Sequence, residues 1–133
     1  MKITSSLRSD SLWVDTLHIS KHQLDILASP ISPVRIDISF SRTAGISKMS
    51  YSDAHMFMLA IKDFINDAIN SGQLFSDKTS KIYEIQLIEY SGRHLGLYKR
   101  LFDRWYRQVL GNKFLLQNVI VTNSSLVIFI QRA

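Results

Sequence analysis

Residues Arg93 to Lys113 read RHLGLYKRLFDRWYRQVLGNK. Turning about 100° per residue from Leu97 puts Leu97, Leu101, Trp105, Tyr98, Phe102 and Val109 on one broad face. Arg100, Arg104 and Arg107, at i, i+4 and i+7, fall on the other. This separation at the helical period predicts an amphipathic helix beginning near Leu97. Gly96 weakens the first turn. Gly111 after Leu110 supplies a stop, and basic residues at that end suit the helix dipole. Asp103 stands four residues from both Lys99 and Arg107, a spacing that adds about 0.3 kcal/mol per pair.

What borders this helix decides the fold class. Before it, Lys81–Tyr90 reads as a strand with imperfect alternation. After it come two apolar runs, Phe114–Thr122 and Leu126–Gln131, separated by Asn123-Ser124-Ser125, which predicts a hairpin. Outside its turn, VIVTNSSLVIFI is almost wholly apolar. Both of its faces should therefore be covered, by a helix layer on one side and another chain or segment on the other. Left open, such a pair invites edge-to-edge association.

Further upstream, Ser50 or Ser52 caps a helix with Asp53 in its first turn. Its core stripe is Phe57, Ile61, Phe64, Ile65 and Ala68; it runs to about Asn70 and ends at Gly72. Val34–Phe40 alternates cleanly as a half-buried strand. Leu12–Ile19 alternates too, with Trp13, Asp15, Leu17 and Ile19 on one side. Lys21–Leu27 fits a short strand or a helical turn, and Ser29–Val34 (SPISPV) is a breaker. Ser41–Ser50 and Gln73–Ser80 read as loops, and residues 1–11 as a polar arm. The expected class is α+β: one domain over 1–133, a mainly antiparallel sheet with two helices packed on it, and a C-terminal hairpin.

Charge concentrates attention on the same helix. The chain holds 16 Lys and Arg against 11 Asp and Glu. Residues 93–113 contain six of those cations and only Asp103 among the acids, so the remainder balances at ten of each. The candidate anion-binding residues are Arg93, Lys99, Arg100, Arg104, Arg107 and Lys113. Arginine favours phosphate, because its planar fork pairs bidentately. The plainer reading is a solvated charged face over an aromatic core face. The aromatics sit mostly on the core side, Tyr106 at the boundary excepted, so base stacking is not expected of them.

Other motifs carry less. Pro30, Pro33 and Arg35 fit the PxxPxR pattern of peptides read by SH3 domains, or simply a loop entering a strand. Ser29 and Ser32 precede prolines and are candidates for phosphorylation. His18 and His22 stand four apart, in a stretch that reads as strand and turn with no third ligand nearby, so no metal is expected. His55 reads as a surface or cap residue. Asn123-Ser124-Ser125 matches a glycosylation sequon but reads better as turn chemistry. No phosphate loop, nucleophile elbow or paired-acid motif is present, and no cofactor is implied. With no cysteine, disulfides and thiolate chemistry are excluded. No apolar run approaches a membrane span, and the N-terminus lacks the apolar core of a secretion signal, so an intracellular location is expected, in the cytoplasm or at the inner face of a membrane.

The order of strand, Tyr51-Ser52-Asp53, helix, strand and a late helix before an apolar hairpin resembles the core of rhabdovirus matrix proteins. In that family a tyrosine-serine-aspartate also opens the first core helix after a strand, and Gly96-Leu97-Tyr98-Lys99 is similar to a tetrapeptide further along. The likeness spans Val34 to Gln131. The family's lysine-rich arm and proline-rich motif are missing here, and its tetrapeptide leads into a strand. The resemblance implies a non-enzymatic protein that self-associates and bridges ribonucleoprotein to an anionic membrane. From the residues alone, the expected function is a basic structural or interaction protein, self-associating through an apolar edge and holding a membrane or nucleoprotein. The alternatives are a monomeric RNA- or DNA-binding module using the same helix, and a small enzyme of unrecognised type.

Overall fold

The computed structural model describes residues 2–9, 11–19, 22–44, 50–89 and 95–133. Along the chain these form β1 (Lys2–Arg8), β2 (Trp13–Ile19), β3 (His22–Ser32), β4 (Arg35–Ala44), α1 (Tyr51–Asn70), β5 (Ile82–Glu89), α2 (Leu95–Leu110), β6 (Phe114–Val121) and β7 (Ser125–Arg132). The strands make one sheet in the order β1-β2-β3-β4-β5-β7-β6. Every neighbouring pair is antiparallel except β4 and β5. The architecture is mixed α and β around a seven-stranded, mostly antiparallel sheet.

The connections follow from the chain order. β4 and β5 run parallel, and α1 supplies the crossover that a parallel pair requires. α2 carries the chain beyond β5 to β6, and the tight turn after β6 returns β7 into the gap between them. That insertion leaves β6 as the edge of the sheet.

Alternation fixes which side of each strand is buried. Trp13, Asp15, Leu17 and Ile19 are buried along β2, as the pattern predicts. Opposite them in register lie Ala28, Ile26, Leu24 and His22, and then Ile38 and Phe40 of β4. Ile36, Ile38, Ile85 and Ile128 are fully shielded from solvent. One apolar cluster joins these strand residues to Phe57, Phe64 and Ile65 of α1 and to Phe102, Val109 and Leu110 of α2.

α1 begins where its cap predicts. The Ser50 hydroxyl accepts the Asp53 amide at 3.1 Å, and all five residues of the expected stripe are buried. Gly72, just past the helix, takes φ +77°, which a residue with a Cβ rarely adopts.

Five expectations need correction. Residues 1–11, expected as an arm, contribute β1, which pairs with β2 along its length. Pro30 lies within β3 and only Pro33-Val34 turns, so the breaker is a hairpin turn. The loop at Gln73–Ser80 is not polar throughout, because Leu74 and Phe75 are buried. The Phe75 ring packs tilted against Tyr83, centroids 4.9 Å apart, and the Tyr83 hydroxyl donates to the Asp77 carbonyl and accepts from Arg132 Nε at 2.7 Å. Finally, β7 is covered but β6 is not: Leu115, Ile120 and Val121 are 53%, 45% and 45% exposed. Of the loop expected at Ser41–Ser50, residues 41–44 extend β4, and 45–49 lie outside the described residues.

β1 is held by charge as well as by its ladder. Asp15 is buried, and its carboxylate accepts from Ser6 Oγ at 2.9 Å and pairs with Arg8 at 2.6 Å. The same guanidinium lies 4.5 Å over Trp13 and 5.3 Å from Phe64. Removing Arg8 strands a carboxylate that water cannot fully reach. Arg8→Ala should cost about 2 kcal/mol in urea unfolding, a figure lowered because the arginine is partly exposed. Asp15→Asn in the Arg8→Ala background should recover part of that loss; if the two changes are simply additive, the pair does not hold β1.

Candidate anion-binding face

α2 presents its charge as the sequence pattern predicts, but its buried side is turned. Leu95, Phe102, Val109 and Leu110 are buried, while Tyr98, Trp105 and Tyr106 are half-buried at the flanks. The core-facing stripe therefore centres on Phe102 and Val109 and reaches Leu95 and Leu110, which the sequence reading left out. The side chains of Leu97 and Leu101, expected on that stripe, lie outside the described residues. Phe40 of β4 meets Tyr98 with ring centroids 5.5 Å apart.

Arg100, Arg104 and Arg107 are exposed on the side away from Phe102. Among the described residues none of the three forms an ion pair with a carboxylate. Arg107 Nε donates to the Tyr106 hydroxyl at 3.4 Å, and its guanidinium lies 5.9 Å from that ring. This hydrogen bond raises the guanidinium pKa further above its ordinary value, so Arg107 stays cationic at any working pH.

The other candidate cations differ. Lys99 pairs with Asp103 at 2.8 Å, which cancels much of its charge locally. Lys113 donates to the carbonyl of Asn70 at 3.2 Å and closes the end of α1. Arg93 lies outside the described residues. The free part of the site is thus Arg100, Arg104 and Arg107.

A polar row on α1 that the sequence reading missed ties down the C-terminal turn of the helix that carries these arginines. Lys62, Asn66 and Asn70 stand at i, i+4 and i+8, beside the apolar stripe. Asn66 Nδ2 donates to the carbonyls of Gln108 at 2.7 Å and Val109 at 2.8 Å. Asn70 Nδ2 reaches Val109 O at 3.3 Å, and Lys62 Nζ reaches Gln108 Oε1 at 3.3 Å. The last carbonyls of a helix lack partners within it, so these amides act as an external cap. The four-residue spacing was the available signal. Lys62 also lies 5.9 Å over Trp105, with His55 at 6.5 Å on the ring's edge.

The apolar space between the helices, bordered by Ile61, Leu87, Phe102 and Trp105, is about 30 Å³.

The remaining candidates are scattered. Pro30 pairs across the ladder with Ile36, and Arg35 is engaged by Asp37 at 2.8 Å and Glu84 at 3.2 Å. The Asp37 hydrogen bond raises the Arg35 pKa above its ordinary value. In this fold the PxxPxR stretch is the turn of a hairpin. His22 sits opposite Ile19 and is buried, while the neighbouring His18 is exposed on the other face. Among the described residues no three His, Cys, Asp or Glu converge on a metal position. His55 is exposed on α1. Thr122 and Ser125 tie the turn that contains Asn123, through Thr122 Oγ1 and the Ser125 amide at 3.0 Å.

Compared with models of protein families, with curated proteins and with solved structures, the chain matches none of them.

If Asn66 sets how α2 sits, Asn66→Ala should destabilise the protein by about 1–2 kcal/mol, the range for lost hydrogen bonds to otherwise unpartnered carbonyls. Chemical denaturation measures this. Asn66→Asp should be worse, because it sets a carboxylate against the negative end of α2.

Proposed function

We propose that this protein is a non-enzymatic interaction module that holds a phosphate-bearing partner on the outward face of α2. In this reading the two helices form one layer packed on a single face of the sheet, so that the arginines point away from the body of the protein. The observation that carries it is the exposure of Arg100, Arg104 and Arg107 together on one helix face, with no carboxylate paired to them among the described residues. Along the axis they are spaced about 6 Å and about 4.5 Å apart, given the rise per residue. Three forked cations in a row fit successive phosphates of a nucleic acid strand or neighbouring lipid headgroups.

The resemblance to rhabdovirus matrix proteins points to the same class. Tyr51-Ser52-Asp53 does open α1, but the proposal rests on the arginines. Self-association, expected from an apolar edge, would involve β6.

The test has two arms. Binding to a single-stranded and a duplex oligonucleotide should fall with salt, with log K against log salt sloping by about −2 to −3 for about three neutralised phosphates. Binding to vesicles should require anionic lipid and gain about 1 kcal/mol per arginine at the surface. The arm that responds identifies the phosphate source. Arg100→Glu with Arg104→Glu should abolish that binding with the circular dichroism unchanged. Binding that survives the pair would mean that the ridge is only a solvated face.

A further inference from the structure

β6 ends the sheet, and among the described residues no strand lies beyond it. Its outer side has backbone amides and carbonyls with no ladder partner, a template for another strand. Beside it runs an open groove of about 660 Å³ between the C-terminal half of α2 and the strand. Tyr106, Arg107 and Leu110 line the helix side, and four consecutive residues, 114–117, line the strand side. Consecutive strand residues point to opposite faces, so they can border one groove only along the strand's edge. The groove therefore follows backbone rather than enclosing a chamber.

The side chains beside it are apolar. Leu115 and Ile120 are exposed, and Leu116 and Val119 are half-buried. β6 contains neither lysine nor proline, residues that commonly blunt an edge. A bulge at Gln117 interrupts its register with β7 and is the only irregularity there. The opposite edge, β1, carries Arg8 at its end.

Among the described residues, the one charged residue lining the groove is the cation Arg107. From Arg104 to the C-terminal Ala133 the chain has no acidic residue, while Arg104, Arg107, Lys113 and Arg132 are cationic. Asp103, the nearest acid on α2, is taken by Lys99. We infer that the β6 edge takes an extended acidic peptide of another protein as an additional strand, with its carboxylates turned to Arg107 and Arg104 and its apolar side chains beside Leu115 and Ile120.

A second copy fits this edge less well. Pairing β6 with β6 antiparallel puts the two-fold axis across the sheet, which keeps both α2 helices on the same face. Two arginine ridges would then flank the junction, and like charges there oppose association. An acidic strand places opposite charge at the same positions. Addition of a strand to an exposed edge takes its affinity from the backbone and its selectivity from alternate side chains.

The probe is a labelled, end-blocked peptide alternating glutamate and valine, about eight residues long as a strand usually is. Its glutamine and lysine counterparts serve as comparisons. The glutamate peptide should bind at least about tenfold more tightly than the glutamine one, and the lysine one should not bind. Arg107→Glu should lower the affinity for the glutamate peptide by a similar factor; if that variant does not fold, the peptide comparison on the unaltered protein still reads the charge dependence. On binding, amides of residues 114–121 should gain protection from hydrogen exchange and those of β1 should not.

Equal affinity for the glutamate and glutamine peptides overturns the inference, as does failure to bind any peptide. Binding without protection of β6 overturns it too, since the peptide then rests on the arginine ridge and the proposed phosphate site still stands. Protection of β6 without peptide, with a mass that doubles as concentration rises, would assign the edge to a second copy.

Discussion

The carboxamide of Asn66 donates to two backbone carbonyls at the end of α2, Gln108 O and Val109 O. Those oxygens belong to the last turn, where a helix has no partners of its own. Two short bonds from one side chain fix both how far α2 has advanced along α1 and how it is rotated about its axis. Rotation decides everything about the candidate site. A shift of one residue, about 100°, would carry an arginine toward the core and Phe102 toward water. Hydrophobic packing alone tolerates such slippage better than a hydrogen bond does, because apolar contact has no direction. The polar row on α1 supplies the direction.

Electrostatics then follows from burial. Several charges sit in local pairs: Arg8 with Asp15, Arg35 with Asp37 and Glu84, and, on α2 itself, Lys99 with Asp103. Arg100, Arg104 and Arg107 have no such partner among the described residues. Residues 93–113 hold the sequence's excess of positive charge, and Arg107, at the end of the arginine row, lines the groove beside β6. A cationic strip beside an unfilled sheet edge offers two kinds of anchoring, charge on the helix and backbone on the strand.

The sequence made much of this legible. The cap at Ser50, the stripe Phe57–Ala68, the hairpin turn at 122–125 and the separation of arginines from aromatics all follow from local period and turn chemistry. Misreadings occurred where partners are remote. Residues 2–8 looked like an arm because Ser-rich sequence has little strand propensity, yet pairing with β2 and the contact of Arg8 with buried Asp15 order them. Leu74 and Phe75 looked like polar-loop residues because their neighbours are polar, yet both are buried, Phe75 against Tyr83 and Phe114.

By itself, the sequence determined the two helices, the alternation of β2 and β4, the terminal hairpin, and that surplus charge gathers on one helix. These depend on spacings of two to four residues, which a chain carries wherever it goes. Only the tertiary structure decided that β7 inserts between β5 and β6, that β6 thereby becomes an open edge beside Arg107, and that Asn66 holds α2 in its rotation. Those outcomes depend on which distant segments pair and in what register. Many pairings satisfy the same local pattern, and the choice among them is made by the packing of the whole.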